Sequence, residues 1–363
     1  MTSFSAYLLV LSLVIPSSSL LVLYMVANLS SFFVIRHIQL SSGLFGWAIS
    51  MVMITLLATL VKPVISIDDL KYLLVFPYLV VIASLRFEVQ QLAFVASFIL
   101  ILFVAVVELF SPAFVQGFFR GNLNLIHEGR NSSLFLFPGD FGHAGIILGA
   151  LMMTRLVGGV FFLQAVRLLL TVVAFSFVFF AQTRLALGQL VIFLGLLAIF
   201  TGHRHIVLVL LGCGLMYAVA WMVLNSESYF IRGISDEASF MDVVLANKRM
   251  LEIAEFLDYQ KVSFLGVDAS QRNFESYESS LVGLWVKTGV FGSAVFFLVP
   301  IIVLFVSRPS RGAVFDETVL WCLIVSLVSV SLFGAPFERP KLQLLAGLAI
   351  GFWWKCRMYK QYR

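Results

Sequence analysis

From Leu168 to Phe200 the chain runs for thirty-three residues with a single charge, Arg184, set in the break Gln182-Thr183-Arg184. At 1.5 Å per residue, one straight helix of that length would far exceed the roughly 30 Å of hydrocarbon that a span must cross. The stretch is therefore expected to fold into a hairpin of two spans with Arg184 at its tip. An arginine there fits two roles: a side chain that snorkels to mark the interface, or a cation held ready for an anion.

Comparable apolar runs recur along the whole sequence. Of its 363 residues 61% are hydrophobic and 12% charged, whereas about a quarter of a soluble chain is charged. Mean hydropathy is +1.03. Hydrophobic runs and their flanks predict spans near 6–28, 43–61, 72–85, 92–110, 141–157, 165–181, 185–201, 206–224, 281–306, 318–334 and 341–355. That makes eleven, or twelve if the first run divides at Pro16-Ser-Ser-Ser19. The expected fold is all-α, a polytopic helical bundle in which residues 1–363 form one unit. The 37 Phe residues read as lipid-facing and interhelical packing.

A net charge of +5 raises the possibility of nucleic acid, but the basic residues are scattered between apolar runs and make no phosphate-tracking face. No nucleic-acid partner is expected. Cys213 and Cys322 lie within apolar runs and Cys356 in the basic tail, so no disulfide framework or CxxC metal pattern is present. The first residues lack the basic n-region of a secretory signal, which makes 6–28 a retained span.

Short basic loops orient such a chain. Lys355, Arg357, Lys360 and Arg363 in the C-terminal tail, with Arg308 and Arg311, are expected on the cytoplasmic side. Propagation puts Arg36, Arg86, Arg155, Arg167 and Arg204 inside. Loops 62–71, 111–140, 225–280 and 335–341 then lie outside, which in a bacterium is the periplasm. The largest of them, 225–280, carries ten acidic and five basic residues, so it cannot lie in hydrocarbon.

External loops normally avoid arginine, yet Arg120, Arg130, Arg184, Arg232, Arg249, Arg272 and Arg339 all fall there. Arg holds phosphate oxygens bidentately and stays charged. A lipid-linked pyrophosphate at headgroup depth is an anion that such a set would suit; pairing with loop acids, as for Arg232 beside Asp236 and Glu237, is the alternative. His127 and Glu128 read as solvated. Met241–Asp258 has helical periodicity, with Lys248 and Glu252 four apart on its polar side and Arg249 beside the apolar stripe. Glu275 and Glu278 flank Tyr277 where the chain re-enters the membrane. A carboxylate partly desolvated at that boundary suits a general base. Asp68-Asp69 stands without a third ligand nearby, so metal independence is expected.

Three stretches resemble the O-antigen polymerase and ligase superfamily, the Wzy and WaaL proteins. QTRLALGQLVIFLGLLAI is similar to the family's Ser/Thr-Arg at a hairpin tip, which maps a functional Arg onto Arg184. NKRMLEIAEFLDYQKVSFLGVD resembles its Arg-led periplasmic helix ending in a Pro-Leu-x-Gly-like turn, mapping a second Arg onto Arg249 and the Gly onto Gly266. ESSLVGLWVKTGVFG is similar to the re-entering His-Asn-x-x-Leu run that ends in Gly-x-x-Gly, here Gly289 and Gly292. Glu278 stands where ligases and many polymerases carry His, and Phe264 replaces the usual Pro. Arg272 and Gly283 also match an Arg-x10-Gly pattern of polymerase loops.

The resemblance, over about residues 111–305, implies a GT-C-like membrane glycosyltransferase. It would transfer a growing glycan from undecaprenyl pyrophosphate to a new lipid-linked repeat unit. The expected catalytic residues are Glu278 as base, with Arg184 and Arg249 on the pyrophosphate. Arg130, Arg272, Arg120, Tyr277 and Arg339 are expected to hold pyrophosphate or glycan, and no cofactor is implied. Partners would be lipid-linked oligosaccharides, membrane lipid, a Wzz-like chain-length regulator and a Wzx-like flippase. A ligase acting on lipid A core, a polysaccharide flippase or transporter, and a structural membrane subunit remain alternatives.

Overall fold

The computed structural model describes residues 2–15, 42–62, 70, 72–120, 133–135, 137–155, 157, 163–201, 251–252, 264–267, 272, 279–309, 314–334, 337 and 339–361. Its elements are α1 (Thr2–Val14), α2 (Ser42–Val61), α3 (Tyr72–Ala83), α4 (Phe87–Phe110), α5 (Pro112–Arg120), α6 (Pro138–Met153), α7 (Gln164–Ala181), α8 (Arg184–Thr201), α9 (Ser280–Val306), α10 (Phe315–Ser331) and α11 (Pro340–Gln361). No strand occurs among the described residues.

Among the described residues four helices are long and apolar enough to cross a membrane: Gly43–Val61, Phe87–Phe110, Gln164–Ala181 and Ser280–Val306. Tyr72–Ala83 and Leu185–Thr201 are shorter apolar helices. The expected span 206–224 and most of the expected loop 225–280 lie outside the described residues. Only 28% of the apolar windows of α2 and α7 is buried, and Phe110 and Phe305 are 83% and 76% exposed. An exterior this apolar suits hydrocarbon, where water would penalise it at about 25 cal/mol per Å2.

Glycines set the tightest helix contacts. A Cβ built on Gly145 would lie 2.5 Å from the Ala174 carbonyl and 2.8 Å from Phe177 Cβ, and one on Gly149 would overlap the Phe175 ring. The four-residue spacing puts both on one face of α6, so α7 approaches backbone to backbone. Gly347 and Gly351 do the same for α11 against Ile82 and Ala83 of α3.

The contacts define two ends. At the lower end, Lys355 of α11 donates to the Leu85 carbonyl and, at 2.8 Å, to Gln90 Oε1. The Arg155 amide donates to Asp316 Oδ1 at 3.0 Å, and Arg308 lies 4.9 Å over the Phe200 ring. At the upper end α4, α7 and α10 finish while α6, α8, α9 and α11 begin. The α7–α8 corner is the hairpin expected from the thirty-three-residue run: Gln182 turns left-handed (φ 49, ψ 47) and Arg184 opens α8.

Candidate functional site

Among the described helices α6, α8, α9 and α11 start at the upper end, α9 being tied to the others through the 332–334 turn. Ser279 caps α9: its hydroxyl accepts from the Val282 amide at 3.4 Å and donates to the Leu332 carbonyl at 2.7 Å. The next amide, Ser280 N, donates to the Gly334 carbonyl at 2.9 Å. These bonds fasten the 332–334 turn across the head of α9. Gly334 in turn carries the Leu185 side chain against its Cα. The residue after Arg184 thus packs on the segment that is bonded to Ser280.

On the other flank, α8 begins against α6. Thr183 Cγ2 faces Gly139, and a Cβ built on Gly142 would meet Ala186 Cβ at 2.7 Å and Thr183 Oγ1 at 3.0 Å. Only glycine lets the two helix starts close to this separation. Asp140, between those glycines, faces Arg339: Nε and Oδ1 are 4.0 Å apart. The Arg339 guanidinium also sits 4.5 Å over the Phe137 ring. Lys341 donates to the Leu134 carbonyl at 2.5 Å. Asp140 precedes the apolar run that begins at Phe141. There burial pushes its carboxyl up to about 6, against the opposing pull of Arg339 and Lys341.

Beneath this layer His143 Nδ1 lies 2.6 Å from Gln189 Oε1, and Gln189 Nε2 donates to Ser326 Oγ at 3.4 Å. All three residues are buried. They join α6, α8 and α10 by a polar chain where lipid offers no alternative partner.

A second structure flanks the head of α9. The helix breaks at Gly289 (φ 73, ψ −166), which takes carbonyls of the preceding turn out of the regular ladder. Val267 N donates to the Val286 carbonyl at 2.7 Å, and Lys62 from the end of α2 donates to the Lys287 carbonyl. Gly266 (φ 92) lies in the same contact. A Cβ on Gly266 would fall 2.6 Å from the Val286 carbonyl oxygen, and one on Gly289 would strike the backbone of Phe264 and Gly266. Buried Lys287 places Nζ 5.7 Å from the Tyr72 ring centroid.

Of the expected site residues, Arg184 and Arg339 belong to one corner, joined through Thr183, Gly139 and Asp140. Arg184 and Arg120 are placed by their backbones, at the start of α8 and the end of α5. Arg272 sits at the kink, where Nε (3.1 Å) and Nη2 (2.7 Å) both donate to the Val267 carbonyl. Its guanidinium holds the turn that carries Gly266. Glu278, Tyr277, Arg249 and Arg130 lie outside the described residues, as do Arg232, His127 and Glu128.

Glu252 departs from its expected place. On the polar side of its stretch it would be exposed, but it is 0% exposed and its Oε2 accepts from the Ser279 amide at 3.4 Å; Lys248, its expected partner, lies outside the described residues. Ser279 is twenty-seven residues away in sequence, which a helix-periodicity reading has no means to find. Buried Glu108 is similar: its Oε2 accepts from the Ser133 amide at 2.7 Å. Two hydroxyls in this region, Ser280 Oγ and Thr183 Oγ1, are buried and have no hydrogen-bond partner among the described residues. Buried hydroxyls are normally satisfied, so both are positions at which a further polar group would be stabilised. No protein-family model matches the chain, and no curated protein matches it either.

Proposed function

We propose that the protein is a membrane glycosyltransferase of the Wzy type. It would join lipid-linked repeat units at the periplasmic face of a bacterial inner membrane, with eleven spans and a cytoplasmic C-terminus. The observation that carries this reading is the meeting of Gly266 with Gly289 beside the head of α9. These are two of the glycines on which the resemblance rests, separated in sequence by twenty-three residues and in contact in the fold. The Arg184-led start of α8 packs onto the same head through Leu185 and Gly334.

The chemistry follows from that arrangement. An acceptor sugar hydroxyl attacks the anomeric carbon of the donor while lipid pyrophosphate departs. Arginine charge stabilises the leaving group, and a carboxylate near the head of α9 receives the proton. Arg184 and Arg249 serve the pyrophosphate, Arg339 and Arg130 support it, and Glu278 is the carboxylate favoured by the motif. No metal is required by this scheme.

Complementation of a strain deleted for the protein tests the reading. With Arg184→Ala or Arg249→Ala, lipopolysaccharide should carry a single repeat unit where the wild type gives a ladder. Loss of all attached chain would indicate a ligase, and a normal ladder from both variants would refute the assignment of the arginines.

A further inference from the structure

We propose, on the basis of the glycosyl-transfer reading above, that Glu252, rather than the Glu278 favoured by the motif, is the catalytic base of this site. Its carboxylate is fully buried, although the stretch 225–280 that contains it is the most hydrophilic in the sequence. Burying a carboxylate is costly unless it is paired or hydrogen-bonded. Here it is held against the Ser279 amide at the start of α9, where the partial positive charge of a helix N-terminus favours the ionised form.

The surroundings supply what a proton acceptor needs. Beside Ser279 lies Ser280, whose hydroxyl is fully buried and has no partner among the described residues. Ser280 follows the amide that holds the carboxylate, and its unpartnered Oγ is the group assigned to the acceptor sugar hydroxyl. The same two residues fasten the 332–334 turn on which Leu185 packs, so the base and the Arg184 end of α8 share one scaffold.

The step balances as follows. The acceptor oxygen forms a bond to the anomeric carbon as the bond from that carbon to the pyrophosphate oxygen breaks. The electron pair leaves with the lipid pyrophosphate. The hydroxyl proton passes to Glu252, which releases it to water before the next cycle.

Glu278 immediately precedes Ser279 in sequence, so the test must separate the two carboxylates. The full chain is reconstituted in proteoliposomes with undecaprenyl-pyrophosphate-linked oligosaccharides isolated from the deletion strain. Glu252→Gln keeps an oxygen for the Ser279 amide and removes the charge and the basicity. It should slow chain extension by about 100-fold or more, with donor half-saturation and unfolding temperature unchanged. Glu252→Asp should retain part of the rate with the acid limb of its pH profile displaced.

A Glu252→Gln rate within about threefold of wild type overturns the assignment. If that variant fails to assemble, Glu252→Asp decides: an undisplaced acid limb overturns the proposal and a displaced one supports it. A wild-type protein that extends no chain removes the glycosyl-transfer reading and the base with it.

Discussion

Gly266 and Gly289 interlock: each takes a positive φ, and a side chain on either would collide with backbone at the other's turn. The 264–267 turn thereby becomes part of α9, with the Val267 amide occupying the carbonyl of Val286. Loop and membrane helix meet here without any side chain between them.

Gly289→Ala should therefore destabilise the protein by at least about 1–3 kcal/mol, the cost of a strained backbone position before any clash. Gly266→Ala should behave alike. Thermal unfolding in detergent measures both, with Gly188→Ala as a control, since a Cβ at that helical glycine meets nothing within 4 Å.

Lys62→Met keeps the aliphatic stem and removes the ammonium that donates to the Lys287 carbonyl. Taking away one partner of a buried hydrogen bond costs about 1–3 kcal/mol. Unfolding should shift by that amount, and hydrogen exchange at the amides next to the kink should quicken.

Arg339 separates stability from activity. Its carboxylate partner is 4.0 Å away and its side chain 38% exposed, so Arg339→Ala should cost at most about 1 kcal/mol in unfolding. If the guanidinium binds the lipid pyrophosphate, the same variant shortens the polysaccharide ladder by far more than that loss explains. Gel analysis of a complemented strain checks this, and a full-length ladder would confine Arg339 to its contacts with Asp140 and Phe137.

Asp140 predicts a pH dependence. Its folded value of about 6 exceeds the ordinary 3.8, so between these values the folded state binds the extra proton and the unfolded state does not. Its contribution is complete below the unfolded value and declines as pH rises through about 6. Asp140→Asn should flatten the fall in unfolding temperature between pH 4 and pH 6.

Hydropathy located most described helices to within a few residues because each apolar run meets a polar boundary. It failed where polar residues are buried. α4 begins at Phe87 rather than 92: Gln90 inside that first turn and a half is satisfied by Lys355 and by the carbonyls of Ile82 and Ala83. α11 runs on to Gln361, since a helix need not stop where the apolar face does, and Arg357 stacks on Trp353. The nine residues of α5 fall within 111–140, a stretch too polar for hydropathy to distinguish from a loop. Arg184 at the hairpin tip was legible from length alone. Glu252, Lys62 and Lys287 were not, because their partners come from distant segments and only the fold brings them together.

Long-range polar links give the molecule a temporal order. Trp47 Nε1 donates to the Val295 carbonyl across 248 residues, and Lys62 and Lys355 reach carbonyls 225 and 270 residues away. α2 is therefore synthesised long before α9, its acceptor, has left the ribosome. The early helices must be sheltered, by the insertion machinery or by one another, until the final third of the chain arrives to close the bundle.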